Sequence, residues 1–520
     1  MGKIDVIKQS LQFEQLLNQD CSNTILREEY LIPDTHPDVE RILLVEAKPT
    51  ITNKDIVGDK AIVEGSVEYN VIYIPRDDDA VVNSVNYSEK FTNSFDIGEN
   101  EHKVICEVEC KVEHIDASIM NERKISIEGV LQLDWQVYLD TEFDFVEDLE
   151  ATQGVEILKE SDNIKKLAFS KEVEMVGKSV LRVGMDKPQV SKILKCSLRL
   201  HKKEMKSGED KVYLGCYCKI NILYVADDTN DIMLLEDDVY VSQDEEIIGV
   251  APNMISYATY NVKNTDVVIE EDDLGEARII NVEFLIGGKV SVFSEEAISI
   301  IKDAYSPKFP INIEKNVHNI DALLDVQSSE NIIKDNIYLK EGDFKPEKII
   351  NVTGDVIVND KKISDDKVIV DGIIKAQVIY KTNDENNLYG HVSGDIPFTT
   401  MIDIVGSKDD MKAVIKAALE SLDAVIEANT IAIKASVIIN AKVFYEIEKE
   451  FISDVVEGED EVADKKASIT IYVVGKGDTL WDLAKKYCCT MQELKKINDL
   501  EEEYTLQEGE KLIIPGRAVF

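Results

Sequence analysis

Three short markers recur in the same order along the 520-residue chain at a period of roughly 150 residues, which is the length of a domain and far too long for a solenoid turn. The first marker is Pro37-Asp38-Val39-Glu40-Arg41-Ile42-Leu43, repeated as Pro188-Gln189-Val190-Ser191-Lys192-Ile193-Leu194 and more loosely as Pro346-Glu347-Lys348-Ile349-Ile350. Aligned on its proline, the third version places Lys348 and Ile350 where the first has Val39 and Arg41. The second marker is a strand-like run ending in tyrosine: Val71-Ile72-Tyr73, Ile222-Leu223-Tyr224 and Val378-Ile379-Tyr380. The third is Asp116-Ala117-Ser118-Ile119, Asp266-Val267-Val268-Ile269 and Asp423-Ala424-Val425-Ile426. The chain therefore reads as three copies of one domain, with markers that look structural.

Within each copy the pattern is β. Val63, Gly65, Val67, Tyr69, Val71 and Tyr73 alternate, as do Leu214, Cys216, Cys218, Ile220, Ile222 and Tyr224. Val104 to Val112 and Lys124 to Val130 read as further strands, with counterparts near Val414 to Leu422 and Ile431 to Val443. Met411 to Glu427 is rich in Ala and Leu and equally compatible with a helix, but the other two copies argue for a strand. The expected fold is mainly β: three repeated sandwich or barrel-like domains, each with its own core, over 1–165, 166–319 and 320–456. Lys8 to Leu17 is expected to form an N-terminal helix. Asp116, Asp266 and Asp423 are expected as turn or cap residues rather than catalytic carboxylates.

The chain carries 101 acidic against 58 basic residues, a net charge of −43, which disfavours nucleic acid and anionic membranes as partners. No run approaches the apolar length of a membrane span, and the N-terminal sequence lacks the apolar core of a secretory signal. Synthesis and residence in the cytosol are expected, without membrane insertion. Eight cysteines include no C-x-x-C pair, and Cys216 and Cys218 read as buried thiols on one strand face. The six histidines are scattered, and phosphate-loop, H-E-x-x-H and G-x-S-x-G motifs are lacking, so neither a catalytic residue nor a metal ligand or cofactor is assigned.

The C-terminus is different. Ile469 to Val474 is a β-branched and aromatic run ending at Gly475 and Gly477; Asp478 and Thr479 sit at a helix start; Leu480, Leu483, Ala484 and Tyr487 then form one apolar face, with Trp481 off it. A second short helix is expected from Thr490, and Lys511 to Ile514 gives a strand stopped by Pro515. This segment, 468–516, resembles a LysM domain, a small βααβ module. The acidic stretch at 457–467 reads as its linker.

Together, the repeats and G-D-T-L-W resemble the SipL-like family of clostridial spore-coat morphogenetic proteins, with three SPOCS domains and a LysM domain. The resemblance implies a non-enzymatic adaptor in the mother-cell cytoplasm, at the outer forespore surface and spore coat. Its implied partners are the coat-basement ATPase (SpoIVA-type), bound through the LysM domain, and possibly other coat proteins. The resemblance puts Tyr472 and Val474 at core positions of the LysM strand; strand alternation then leaves Ile469, Ile471 and Val473 on an uncovered face, and with Trp481 these are the expected partner-binding residues. The alternative is a peptidoglycan or chitin-type, N-acetylglucosamine-containing glycan held at Gly477, Asp478, Thr479 and Leu480, beside the loop at 501–508.

Overall fold

The structure, a computed structural model, describes residues 4–76, 82–98, 103–150, 154–384, 387–458, 469–501 and 504–515, Ile469 as backbone only. The first copy runs β1 (Val6–Leu31), β2 (Val39–Val57), β3 (Lys60–Pro75), β4 (Asn83–Asp96), β5 (Lys103–Asn121) and β6 (Lys124–Leu149). The second repeats this as β7 (Glu156–Arg182), β8 (Val190–Ser207), β9 (Lys211–Ala226), β10 (Ile232–Glu246), β11 (Ile255–Glu271) and β12 (Ala277–Tyr305). The third gives β13 (Ile311–Tyr338), β14 (Pro346–Ser364), β15 (Lys367–Thr382), β16 (Tyr389–Asp403), β17 (Lys412–Glu427) and β18 (Thr430–Glu457).

Each copy is two antiparallel three-stranded sheets, ordered β1-β6-β5 and β2-β3-β4 in the first and likewise in the others. The sheets face one another and meet at their edges, β2 beside β5 and β1 beside β4, which gives a barrel-like closure that leaves few free strand edges. The expected alternation is what fills the interior: Val63, Val67, Tyr69, Val71 and Tyr73 are buried in the first core, as are Leu214, Cys216, Cys218, Ile220, Ile222 and Tyr224 in the second. Burial in the apolar core pushes the Cys216 thiol up to about 11 and that of Cys218 to about 12, so both stay neutral.

The N-terminal segment Lys8 to Leu17 is a strand, not a helix. It pairs with β6 along its length, and a register shift between Leu16 and Asn18 changes which parity faces inward. Before that shift the strand already buries both of its faces: Leu11 and Phe13 pack in the ribbon cluster, and Leu16, of opposite parity, packs with Tyr138, Phe293 and Leu323. The folded copies end at Leu149, Tyr305 and Glu457, so the expected breaks at 165/166 and 319/320 fall inside β7 and β13. Asp116, Asp266 and Asp423 are likewise not turn residues: they stand within β5, β11 and β17, opposite Glu128, Glu283 and Lys434. Met411 to Glu427 is a strand, as the repeat argued. The acidic linker lies almost wholly outside the described residues.

The three copies are arranged about a common axis, and the sequence markers make the contacts between them. The register places Pro346 opposite Thr382 as Val39 is opposite Pro75 and Val190 opposite Ala226. The third marker is therefore shifted by two from the alignment on proline: Pro346 replaces Val39, Lys348 replaces Arg41 and Ile350 replaces Leu43. Leu43, Leu194 and Ile350 then meet on the axis with Ile72, Leu223 and Ile379, the middle residues of the tyrosine-ended runs. Flanking residues of those runs face their own barrel while the middle one faces the other copies, as strand alternation requires.

The basic position of the marker links neighbours in a ring. Arg41 of the first copy donates to the Tyr389 carbonyl of the third at 2.7 Å. Lys192 of the second donates to Asn83 and, at 3.2 Å, to the Ser84 carbonyl of the first. Lys348 of the third acts electrostatically on Asp231 of the second, which also pairs with Lys381 at 2.8 Å. At the other end, the long strands run past the barrels as three paired ribbons. Leu11, Phe13 and Phe145 pack there with Ile164, Ile298 and Ile300, and with Ile320, Ala322 and Phe451. Each such buried aliphatic or aromatic side chain contributes about 1.5–3 kcal/mol.

Candidate functional site: the C-terminal module and its dock

The module consists of β19 (Ile469–Val473), α1 (Leu480–Lys486), α2 (Met491–Ile497) and β20 (Lys511–Pro515), with β19 and β20 antiparallel. The turn after β19 is built around Asp478, whose carboxylate accepts from the Gly475 N–H at 2.7 Å and the Tyr472 hydroxyl at 2.8 Å. The backbone bond from Gly475, then that from Tyr472, holds the Asp478 carboxyl below its ordinary range. Gly477 has φ +89°, a conformation side chains resist. Thr479 caps α1, accepting from the Asp482 N–H at 3.0 Å, and Thr490 with Glu493 forms a reciprocal capping box on α2. Val474, Leu480, Leu483, Ala484, Leu494, Leu512 and Ile514 make the core.

Strand parity falls as expected: Val474 is buried and Tyr472 half-buried, whereas Ile471 is 65% exposed and Val473 55%. Ile513, opposite Ile471, extends this apolar face. Asn498 takes both backbone groups of Ile513, donating to its carbonyl and accepting from its N–H at 2.7 Å. Ile471–Ile513 is therefore a pair whose backbone groups point outward, and Ile471 directs its own N–H and C=O to the edge of β19 that pairs with no other strand among the described residues.

Trp481 is not part of that open face. It is 7% exposed, sitting edge-on to Tyr305 of β12 with ring centroids 4.9 Å apart. Its indole Nε1 donates to Asp303 at 2.8 Å, Lys485 donates to the same carboxylate at 2.6 and 2.7 Å, and the Tyr305 hydroxyl donates to the Cys489 carbonyl at 2.8 Å. Trp481, expected on the open partner-binding face, instead lies buried against a ribbon of the second copy, a contact that carries no local sequence signal. Asp303 has counterparts in Asp148 and Asp454, each beside a register shift and each accepting from the next N–H. Two residues on, the second copy alone has an aromatic, Tyr305, where the others have Glu150 and Val456. This explains a dock on the second copy instead of the adjoining third.

At the alternative glycan patch, Leu480 is buried, the Asp478 carboxylate is committed to the turn and the Thr479 hydroxyl to the cap and to Asp482. Among the described residues no group of three or more His, Cys, Asp or Glu side chains is placed to hold a metal, and no helix is long and apolar enough to cross a membrane.

The family description "SipL, SPOCS domain" matches residues 38–120, 189–270 and 345–427, and the LysM domain matches residues 472–515. The chain has the SipL-type architecture of three SPOCS domains followed by a LysM domain. Each SPOCS match spans the second to fifth strands of its copy, so the two long strands that complete the second sheet and build the ribbons lie outside it. Comparison with curated proteins and with solved structures gives no match. The SPOCS and LysM domains together fit a sporulation coat protein.

Proposed function

We propose that this protein is a non-enzymatic adaptor of spore-coat assembly, which presents its LysM domain to the coat-basement ATPase at the mother-cell face of the forespore. The observation that carries this reading is the pose of the module: Trp481 fixes it to the ribbons, while the apolar face of Ile471, Val473 and Ile513 points outward, beside an edge of β19 left unpaired among the described residues. An open strand edge beside exposed branched side chains accepts an extended segment by strand addition, with main-chain bonds giving affinity and alternate side chains giving selectivity. Trp481 is thus a positioning residue, and the partner-binding residues narrow to the open face. The glycan reading is less well supported, because the polar groups of Asp478 and Thr479 already serve the turn and the cap.

Pull-down of the purified ATPase by the full chain tests this. Ile471→Glu with Val473→Glu is expected to reduce capture at least tenfold while leaving the melting temperature within about 2 °C, because both side chains are exposed. Undiminished capture by a folded double variant refutes the surface.

A further inference from the structure

The third marker lies on a sheet that turns one face into its own barrel and the other outward, with Asp116, Asp266 and Asp423 exposed on the outward side. Register and alternation fix what surrounds each of these aspartates. In the second copy, Val176 stands opposite Leu285 on one side of the row formed by Lys178, Glu283 and Asp266, and on the other side Val180 shares a row with Asn281 and Val268. Val176 and Val180 are more than half exposed, Val268 is nearly so, and Leu285 is half-buried. The same four places hold Ile25, Val130, Glu29 and Ser118 in the first copy, and Ile332, Ser436, Asn336 and Val425 in the third. Those copies close the same barrel with two polar residues among the four, so the fold does not demand the all-apolar set that the second copy exposes. Single exposed apolar side chains are ordinary, whereas a contiguous group marks a contact surface.

The hairpin that ends this face differs too. Its turn from β11 to β12, Asp272 to Glu276, is three residues longer than Glu122-Arg123 and Ala428-Asn429 in the other copies. Asp272 accepts from the N–H groups of Leu274 at 2.8 Å and Glu276 at 3.1 Å, and Glu276 holds Arg278, whose guanidinium donates to the Gly184 and Lys187 carbonyls. Leu274 is thereby held 69% exposed beside an exposed Asp273. Charge decides what covers the face. Glu174, Asp266, Glu270, Glu271 and Asp273 are exposed around it, against Arg182 and a Lys178 already paired with Glu283 at 2.6 Å. A second copy of the chain, at net charge −43, would bring acid against acid. An apolar sheet face is covered by the apolar stripe of a helix, and lysines flanking such a stripe turn their ammonium groups to an acidic rim while their stems add apolar contact.

We propose that the outward face of the second copy at Val176, Val180, Val268 and Leu285, with Leu274 at its end, docks a basic amphipathic helix of a protein partner. The face lies on the strand pair that also carries the LysM dock, since Leu158 and Asp303 belong to β7 and β12. The two are separated by roughly 50–60 Å along the strands. They therefore engage separate partners, and this surface does not rest on the reading of the LysM face.

Calorimetric titration of the full chain with a synthetic helical peptide, leucine at i, i+3, i+4 and i+7 spacing and lysine elsewhere, tests the proposal. Saturable binding is expected, at least tenfold tighter than by a scrambled peptide of the same composition, which keeps the charge and loses the stripe. Val180→Asn with Val268→Ser should weaken it at least tenfold; that variant folds, because Asn336 and Ser118 stand at those places in the other copies. Val425→Ser on the third copy should leave binding unchanged. The proposal is overturned by absence of saturable binding, by equal binding of the scrambled peptide, or by affinity that the double variant retains or Val425→Ser weakens equally. Sedimentation showing a dimer of the chain that the double variant dissolves would also overturn it, by making a second copy the occupant.

Discussion

Replacing Asp303 by alanine should release the LysM domain from the ribbons without unfolding it. The carboxylate holds the Trp481 indole and the Lys485 ammonium simultaneously. Removing it leaves a buried indole N–H without an acceptor, which costs about 1–3 kcal/mol. The half-exposed Lys485 pair adds at most about 1 kcal/mol. A total of about 1–4 kcal/mol lowers the docked-to-free ratio by roughly five- to several-hundred-fold. The chain has two tryptophans, and Trp135 is buried in the first barrel, stacked on Phe95 at 4.4 Å. In a Trp135→Phe background the emission therefore reports on Trp481 alone. Asp303→Ala should shift it to the red and open it to acrylamide, and Asp303→Asn, which keeps an acceptor, should do so less. Burial alone would raise the Asp303 carboxyl, but the bonds from Lys485 and Trp481 outweigh it and hold its pKa below the ordinary value. Its contribution to docking is accordingly complete above about pH 4 and is lost as pH falls through the lower, docked value. Unchanged emission and quenching in Asp303→Ala combined with Tyr305→Ser would refute the dock.

Two further outcomes follow from the shared core. Ile72→Ala should cost about 2–5 kcal/mol in denaturant unfolding and reduce hydrogen-exchange protection in β9 and β15 as well as β3, because the cluster it empties belongs to all three copies; loss confined to β3 would contradict that. Burial over the Tyr257 ring, at 4.7 Å, pushes the Lys442 ammonium down to about 8, so between pH 8 and about 10.4 the unfolded chain binds more protons and stability rises with pH. Lys442→Met should flatten that slope and raise the melting temperature at pH 7, and an unaltered pH profile would count against a charged, buried lysine.

The repeat was legible because its markers serve two cores at once: Tyr73, Tyr224 and Tyr380 fill the barrels while Ile72, Leu223 and Ile379 fill the axis. Pro346 misled the alignment because a proline is tolerated as the first residue of a strand, where it stands in for Val39. Lys8 to Leu17 lacks the one-sided alternation that marks a strand because both its faces are covered, Leu11 and Phe13 among the ribbons and Leu16 against Tyr138 and Leu323. In the C-terminal module, local chemistry was sufficient for the turn, the caps and the outward parity of Ile471 and Val473. What covers Trp481 was not legible: Tyr305 belongs to a distant strand, and no local rule links the two.

Three copies on one polypeptide form a trimer that cannot dissociate. Separate chains building the same axial clusters would come apart on dilution, with an assembly that depended on the cube of their concentration. Here each copy is held near the others at an effective concentration fixed by the short connections between Leu149 and Glu156 and between Tyr305 and Ile311. The platform is therefore complete as soon as one chain is made, and it carries one LysM domain. A layer built from it would count its contacts by chains, in register with synthesis, with no free subunits to exchange.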